Sequence, residues 1–329
     1  MPKTSSTSGF RLFSSAVLWA LIVILISEAV LARTLPQRYF SHEVDQILYD
    51  LEHKKYNAEF LLLGDSVGGQ IWRAAIKDDG RQHMFAVLPS NAAIEMTGQY
   101  YLVQRYLKRN KKPKAVIFLG RNFLSRDLNQ VYTENFVQRC FLNFREIAEI
   151  TSHKGVEFGL VMLVYKCLPS YRYRLHLQKR LAGFANSNVG TGLLPTQDPV
   201  IPKIPAGTRT ASKIYLIKLL ALCDRLDIHF YLIEAPMPES TAGRSWDVPS
   251  FGDMRSSWDD LEKRYGRLHL VKDMSVFQEN DFAADRIHLN PRAVMRAGVL
   301  WWKIFDGILR SVVSPASGVY AVGGDKKQP

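Results

Sequence analysis

The feature that most constrains this chain is a series of short, uninterrupted apolar runs, each closed by a turn and followed by a stretch with helical spacing. Phe60-Leu61-Leu62-Leu63 ends in Gly64, Ala115 to Leu119 ends in Gly120, and His229 to Ile233 follows a helical stretch from Lys213 to Leu226. Met84 to Leu88 and Leu268 to Val271 read as two further strands, and Ile94 to Arg109 as a helix. Phe158 to Val164 is another buried stretch, which a strand or a helix would satisfy equally well. A strand with one wet face alternates apolar and polar residues. One that does not alternate is covered on both faces, as in a parallel sheet between helical layers. The expected class is α/β with a mostly parallel sheet, and 329 residues are enough for one such domain with appendages.

The first residues do not belong to that pattern. Lys3 and Arg11 precede an apolar run from Ala16 to Ile26 that continues less purely to Ala32. Such a segment directs export and leaves the N-terminus in the cytoplasm. Phe10 to Ala32 is long enough to span a bilayer as one helix, with Glu28 near the outer interface. Val30-Leu31-Ala32 also has the small residues a signal peptidase needs, so an uncleaved anchor and a cleaved signal are both open. The expected organisation is a cytoplasmic tail (1–10), an anchor or signal segment (11–32), a stalk with a lead-in helix (33–55), a catalytic domain (56–313) and a disordered tail (314–329). Within the catalytic domain, residues 183–212 are rich in Gly, Pro, Asn and Thr and read as a loop insertion, either a lid or a mobile surface loop.

A net charge of +12 suits acidic partners, anionic lipid or glycan among them. The densest basic run, Arg105 to Lys114, falls where a helix is expected to end, and cations there complement the helix dipole. With no RNA-binding aromatic signature, zinc finger or basic zipper, nucleic acid is not an expected partner. Cys140, Cys167 and Cys223 sit among apolar residues and read as buried thiols, with a Cys140–Cys167 or Cys167–Cys223 bridge left open.

Three short motifs carry chemistry. Gly64-Asp65-Ser66 follows the first strand, where glycine permits a tight turn and ligands of open α/β sheets bind. A serine there, at the start of a helix, lies near backbone amides that can hold an oxyanion; its ordinary alternative is to cap that helix. Asp285-Arg286-Ile287-His288 stands just before Asn290-Pro291, a helix start, so both side chains lie on a loop braced by a packed helix at about 291–311. Three residues apart, Asp285 can turn back to the imidazole of His288 and fix its tautomer; the alternative is a surface ion pair. Gly120-Arg121-Asn122 follows the third strand, and the Asn122 amide can donate to a developing negative charge or merely form a turn.

In this order the motifs resemble the SGNH/GDSL hydrolase superfamily. That resemblance implies a flavodoxin-like three-layer sandwich, preceded here by one transmembrane helix. It implies Ser66 as nucleophile, His288 with Asp285 completing a triad, and an oxyanion hole from Ser66, Gly98 and Asn122. Gly98 is the choice for the second-block glycine; should its N–H lie within a regular helix, Asn91 or Ala92 would take that place. Val67 stands where many members have leucine, and Phe123 where many have aspartate. Neither a metal nor a cofactor is expected, since the sequence has no HExxH, zinc-type Cys/His spacing or P-loop.

Within the superfamily, an N-terminal anchor on an extracytoplasmic domain resembles bacterial cell-envelope polysaccharide O-acetyltransferases, such as those acting on alginate and peptidoglycan. The implied activity is acyl transfer to an envelope or secreted polysaccharide, with the donor passed on by a membrane-bound O-acyltransferase. The implied site of action is the outer face of the cytoplasmic (inner) membrane, in the periplasm or beyond. Hydrolysis by the same triad, as an esterase or polysaccharide deacetylase, is a second reading. A non-catalytic glycan-binding subunit of an export machine is a third, with Trp246, Trp258, Tyr171 and Tyr173 as candidate sugar platforms.

Overall fold

A computed structural model describes residues 7–34, 43–76, 80–89, 95–120, 143–172, 210–238, 258–271, 276–284 and 288–313. The chain divides into two compact units: residues 1–50 with 128–211, and residues 51–127 with 212–329. In this division residues 128–211, which follow the third strand in sequence, group with the N-terminal residues.

The second unit holds the sheet. Strands β1 (Phe60–Gly64), β2 (Phe85–Val87), β3 (Ala115–Gly120), β4 (His229–Glu234) and β6 (Leu268–Val271) lie in the order β2-β1-β3-β4-β6. All neighbours are parallel, with Phe60 opposite Phe85 and Ala115, and Ala115 opposite His229. The expected α/β class with a parallel sheet is what the unit shows. A separate two-stranded sheet pairs β5 (Met237–Pro238) with β7 (Val276–Phe277), so Leu268–Val271 closes the main sheet but is not the last strand.

Both faces of the sheet are dry. Phe60, Leu62, Ile117, Leu119, Tyr231 and Ile233 meet α3 (Ser66–Ile76) and α10 (Pro291–Val313) in one buried cluster. The residues between them, such as Leu61, Val116 and Leu232, are equally buried and point the other way. On that side α4 (Glu95–Arg109) and α8 (Thr210–Arg225) are joined by Tyr101 and Tyr215, whose hydroxyls lie 3.1 Å apart. Tyr106 of α4 receives the Ala58 N–H at 2.9 Å, tying the helix to the start of β1. A shorter helix, α9 (Trp258–Arg264), precedes β6. Burial pushes the Cys223 thiol well above its ordinary range; Cys223 and Cys167 are both free thiols, while Cys140 lies outside the described residues.

The first unit is helical. It contains α1 (Thr7–Thr34), α5 (Phe144–Lys154), α6 (Val156–Cys167) and the short α7 (Pro169–Arg172); α2 (Glu43–His53) runs across the boundary between units. Phe158 to Val164, a buried strand or helix by sequence, is part of α6, and within it only Gly159 and Met162 are buried. Asn143 begins α5 with a reciprocal cap, accepting the Glu146 N–H at 2.9 Å while Glu146 accepts its own at 2.8 Å. Side chains of α1 are described from Val17 to Leu31, and Leu18, Trp19, Val23, Leu25 and Ile26 among them are exposed. Among the described residues, no helix is long and apolar enough to cross a membrane.

Candidate active site

In the order β2-β1-β3-β4, the chain passes from β1 to β2 on one side and from β3 to β4 on the other, so the carboxyl ends of β1 and β3 flank the switch point where open α/β sheets bind ligands. Gly64 ends β1 with φ +157°, and a Cβ there would lie 2.0 Å from the Leu119 carbonyl oxygen of β3. The same oxygen would sit 2.5 Å from a Cβ on Gly68. Both glycines are therefore required by close backbone approach, and together they seat the first turn of α3 against β3.

The next residue, Asp65, does the capping that Ser66 might have done. Its Oδ1 accepts the N–H groups of Val67 at 2.9 Å and Gly68 at 3.1 Å, satisfying two of the amides a helix start leaves open. Ser66 is thus the first helical residue, with its hydroxyl left for another partner. That partner is His288: Nε2 and Oγ are 3.0 Å apart. Among the described residues nothing accepts the Ser66 backbone N–H, which lies at the positive end of α3.

His288 is held from several sides. Its carbonyl accepts the Ala283 N–H at 2.8 Å, and Leu289 bridges antiparallel to Phe282. The Leu289 N–H donates to Gln70 Oε1 at 3.3 Å, linking the histidine loop to the helix that carries the serine. Asn290 caps α10 through the Ala293 N–H at 2.9 Å and gives its own amide to the Asn280 carbonyl. Asp281, nearly buried, anchors this loop to α10 through Arg296 at 2.5 Å.

Below the loop, α10 and α3 pack directly. Gly298 faces Ala75, Trp72 and Trp301 meet edge to face at 5.7 Å, and Trp302 donates its indole N–H to the Ala75 carbonyl at 3.2 Å. The distance between Ser66 and His288 is thus set by a helix–helix contact, although 222 residues separate them in sequence.

Of the residues expected at the site, the structure brings Ser66 and His288 together. Asp285 and Asn122 lie outside the described residues. Gly98 is the fourth residue of α4 and so lies in that helix's first turn. The alternatives, Asn91 and Ala92, also lie outside the described residues. Among the aromatics considered for sugar stacking, Trp258 is buried in the core and Tyr171 is exposed on α7; Trp246 and Tyr173 are not among the described residues. Of the 183–212 insertion, the described part begins at Thr210, the first residue of α8.

Three residues at the carboxyl end of the sheet carried no sequence motif. Gln70 is one helical turn beyond Ser66. Gln99 is buried and donates to the Gly64 carbonyl at 3.0 Å, bracing the turn before the nucleophile. Glu234 is fully buried at the end of β4, opposite Gly120. The one signal for Glu234 was a carboxylate closing the apolar run Phe-Tyr-Leu-Ile-Glu. Among the described residues no three His, Cys, Asp or Glu side chains are grouped as a metal site would need.

No protein-family model matches the sequence, and no curated protein does. Among solved structures, the chain is similar to one described as "the structure of a putative platelet activating factor from Streptococcus pneumonia". The identity is 9%, the TM-score 0.39, and the match covers 89% of this chain and 98% of that one. At that distance the likeness carries no statement about activity.

Proposed function

We propose that this chain is a serine acyltransferase of the SGNH/GDSL type, tethered by α1 to the outer face of the cytoplasmic membrane. The observation that carries the reading is the 3.0 Å approach of His288 Nε2 to Ser66 Oγ at the switch point of a parallel sheet. A serine already replaced as a helix cap by its neighbour has no structural use for its hydroxyl there.

In this reading Ser66 Oγ attacks an acyl carbonyl while its proton passes to His288 Nε2. The negative oxygen of the tetrahedral intermediate is met by the Ser66 amide and, as the family resemblance implies, by Asn122. Collapse expels the donor's alcohol, which takes the proton from His288, and leaves the acyl group as an ester on Ser66. A polysaccharide hydroxyl then gives its proton to His288 as it attacks the ester; the C–O bond to Ser66 breaks, and Ser66 Oγ takes the proton from His288, restoring the serine. Asp285 would orient His288 and stabilise its charged form. The acyl donor would be handed over by a membrane-bound O-acyltransferase. A tether supports transfer over hydrolysis because it concentrates the enzyme where a membrane donor and an envelope glycan meet. The exposed apolar side chains of α1 and the cations that precede the apolar run Ala16–Ile26, Lys3 and Arg11, support the anchor.

The test is mass spectrometry of an oligosaccharide incubated with the enzyme and an activated acetyl ester, with Ser66→Ala as control. Transfer predicts acetylated sugar only with the intact serine. If several acceptors gain nothing while acetylated glycans lose their groups rapidly, hydrolysis replaces transfer.

A further inference from the structure

We infer that the open face of α6 lies in the lipid–water interface beside α1, so that the first unit meets the membrane at two places. The inference rests on the reading of α1 as an anchor, and it adds an interaction surface which that reading does not contain.

Helix α6 runs Val-Glu-Phe-Gly-Leu-Val-Met-Leu-Val-Tyr-Lys-Cys and is apolar around most of its circumference. Such a helix needs cover on more than one side. One side has it: Gly159 is so close to α5 that a Cβ would lie 2.2 Å from Thr151 Oγ1, and Met162 is buried. The other side does not. Val156, Leu160, Leu163 and Val164 are spaced to form one stripe, and their exposures run from 69% at Val156 to 36% at Leu163. Exposed Cys167 extends it.

The connection to α1 says what covers this stripe. Directly after α6, Ser170 at the start of α7 donates its backbone N–H to Glu28 Oε2 at 2.9 Å, and its hydroxyl to the other carboxylate oxygen of Glu28. The carboxyl end of α6 is thereby fixed to α1 at Glu28, the acidic residue that ends the pure apolar run. Six residues of helix separate Glu28 from Thr34, roughly 9 Å along the axis. With α1 in a bilayer and Glu28 at the outer boundary of the hydrocarbon, α6 ends at that same boundary. Its twelve residues reach only about 18 Å, too short to cross and suited to lying in the interface. The bilayer that receives α1 is the occupant already at the right depth, and the +12 net charge favours anionic headgroups around it. The bonds from Ser170 also satisfy a carboxylate that would otherwise be costly beside lipid.

The experiment uses the full chain in vesicles of phosphatidylcholine and phosphatidylglycerol, with Cys140→Ser, Cys167→Ser and Cys223→Ala removing the native thiols. Single cysteines carrying an environment-sensitive fluorophore are placed at Leu160→Cys and Val156→Cys on the stripe, at Ser152→Cys on exposed α5, and at Trp19→Cys on α1. Nitroxide-labelled lipid should remove most of the emission at 160, 156 and 19 and leave 152 bright. Quenching at 19 but not at 160 and 156 overturns the inference and leaves the anchor standing. Quenching at 160 and 156 but not at 19 keeps the lipid-facing stripe and removes the anchor reading. Disulfide-linked dimers through Leu160→Cys, without quenching, assign the stripe to a second copy and overturn the inference. Leu160 and Val156 are both exposed, so neither substitution removes a core contact.

Discussion

The two ends of the parallel sheet hold histidines in opposite situations. At the carboxyl end, His288 presents Nε2 to a serine hydroxyl. At the amino end, His229 of β4 and His269 of β6 stand 2.9 Å apart, Nδ1 to Nε2, and stack with Tyr231. Arg267 lies 3.0 Å from His229 Nε2, and a guanidinium can only donate. His229 must therefore carry its proton on Nδ1 and give it to His269 Nε2, so both rings are held neutral. Burial, reinforced by Arg267, lowers the His229 pKa; burial, His229 and Arg267 bring His269 down to about 4. An imidazole can act as a base only where its lone pair faces a proton it can take. At the amino end each lone pair that faces the pair's own chain of bonds is already spent on a donor that will not release its proton.

The sharpest test of this contrast is activity. Ser66→Ala and His288→Ala should each abolish fluorophosphonate labelling and lower turnover by on the order of 10⁴-fold or more. His269→Gln, which keeps an acceptor for His229, should leave turnover unchanged. A loss of activity in His269→Gln matching that of His288→Ala would erase the distinction between the two ends.

A smaller effect is expected at Gln70, which acts through the histidine loop and touches no reacting atom. Gln70→Ala should lower kcat about tenfold, equivalent to ~1.4 kcal/mol, with KM little changed. Gln70→Glu retains an oxygen for the Leu289 N–H and should recover most of the loss. Equal defects in both variants would mean that the bond to the loop is not what positions His288.

How much of this was legible follows from the range of each interaction. The strands β1 and β3 were readable because their sequences are apolar at every position, and β4 through its apolar run Phe230–Ile233, a pattern that suits a doubly covered strand. Ser66 and His288 were readable because each sits beside local punctuation, Gly64 before one and Asn290-Pro291 after the other. Gly98 was harder to read for the opposite reason: a glycine in a helical pattern says nothing about whether its amide is free. Gln70 and Gln99 act through partners 219 and 35 residues away, and no local pattern encodes those distances. The stretch from Phe158 to Val164 left strand and helix open because an apolar run without alternation suits either; it is helical, and of its residues only Gly159 and Met162 are buried.

The cap at Asp65 comes next in size, and it concerns stability. Removing the carboxylate in Asp65→Ala leaves the Val67 and Gly68 amides without it and should cost about 1–2 kcal/mol in urea unfolding. Asp65→Asn keeps an oxygen in the same place and should cost less. If the Ala and Asn variants unfold at the same midpoint, the carboxylate is not the cap and the freedom of the Ser66 hydroxyl needs another cause.

The last effect belongs to the amino-end histidines and appears only in acid. An unfolded histidine titrates near 6.5, whereas folded His269 is brought down to about 4. Between those values the unfolded chain binds more protons than the folded one, so stability rises with pH across the window. The contribution is fully present above about 6.5 and is lost progressively as pH falls toward 4, below which both states are protonated and the slope from this group ends. The groups facing the pair are Arg267, its ion-pair partner Asp227, and Tyr231, whose hydroxyl lies 2.6 Å from Ser311 Oγ. Tyrosine and arginine do not titrate in this range, and Asp227 acts in the opposite sense, raising the His229 pKa. In His269→Gln this group's contribution to the acid sensitivity is gone. Relative to its own value near pH 7, its urea midpoint should decline less steeply toward pH 4.5 than the parent protein's does. Parallel curves for the two proteins across that window would show that His269 is protonated as readily in the folded chain as in the unfolded one, and the contrast between the two ends of the sheet would lose its electrostatic basis.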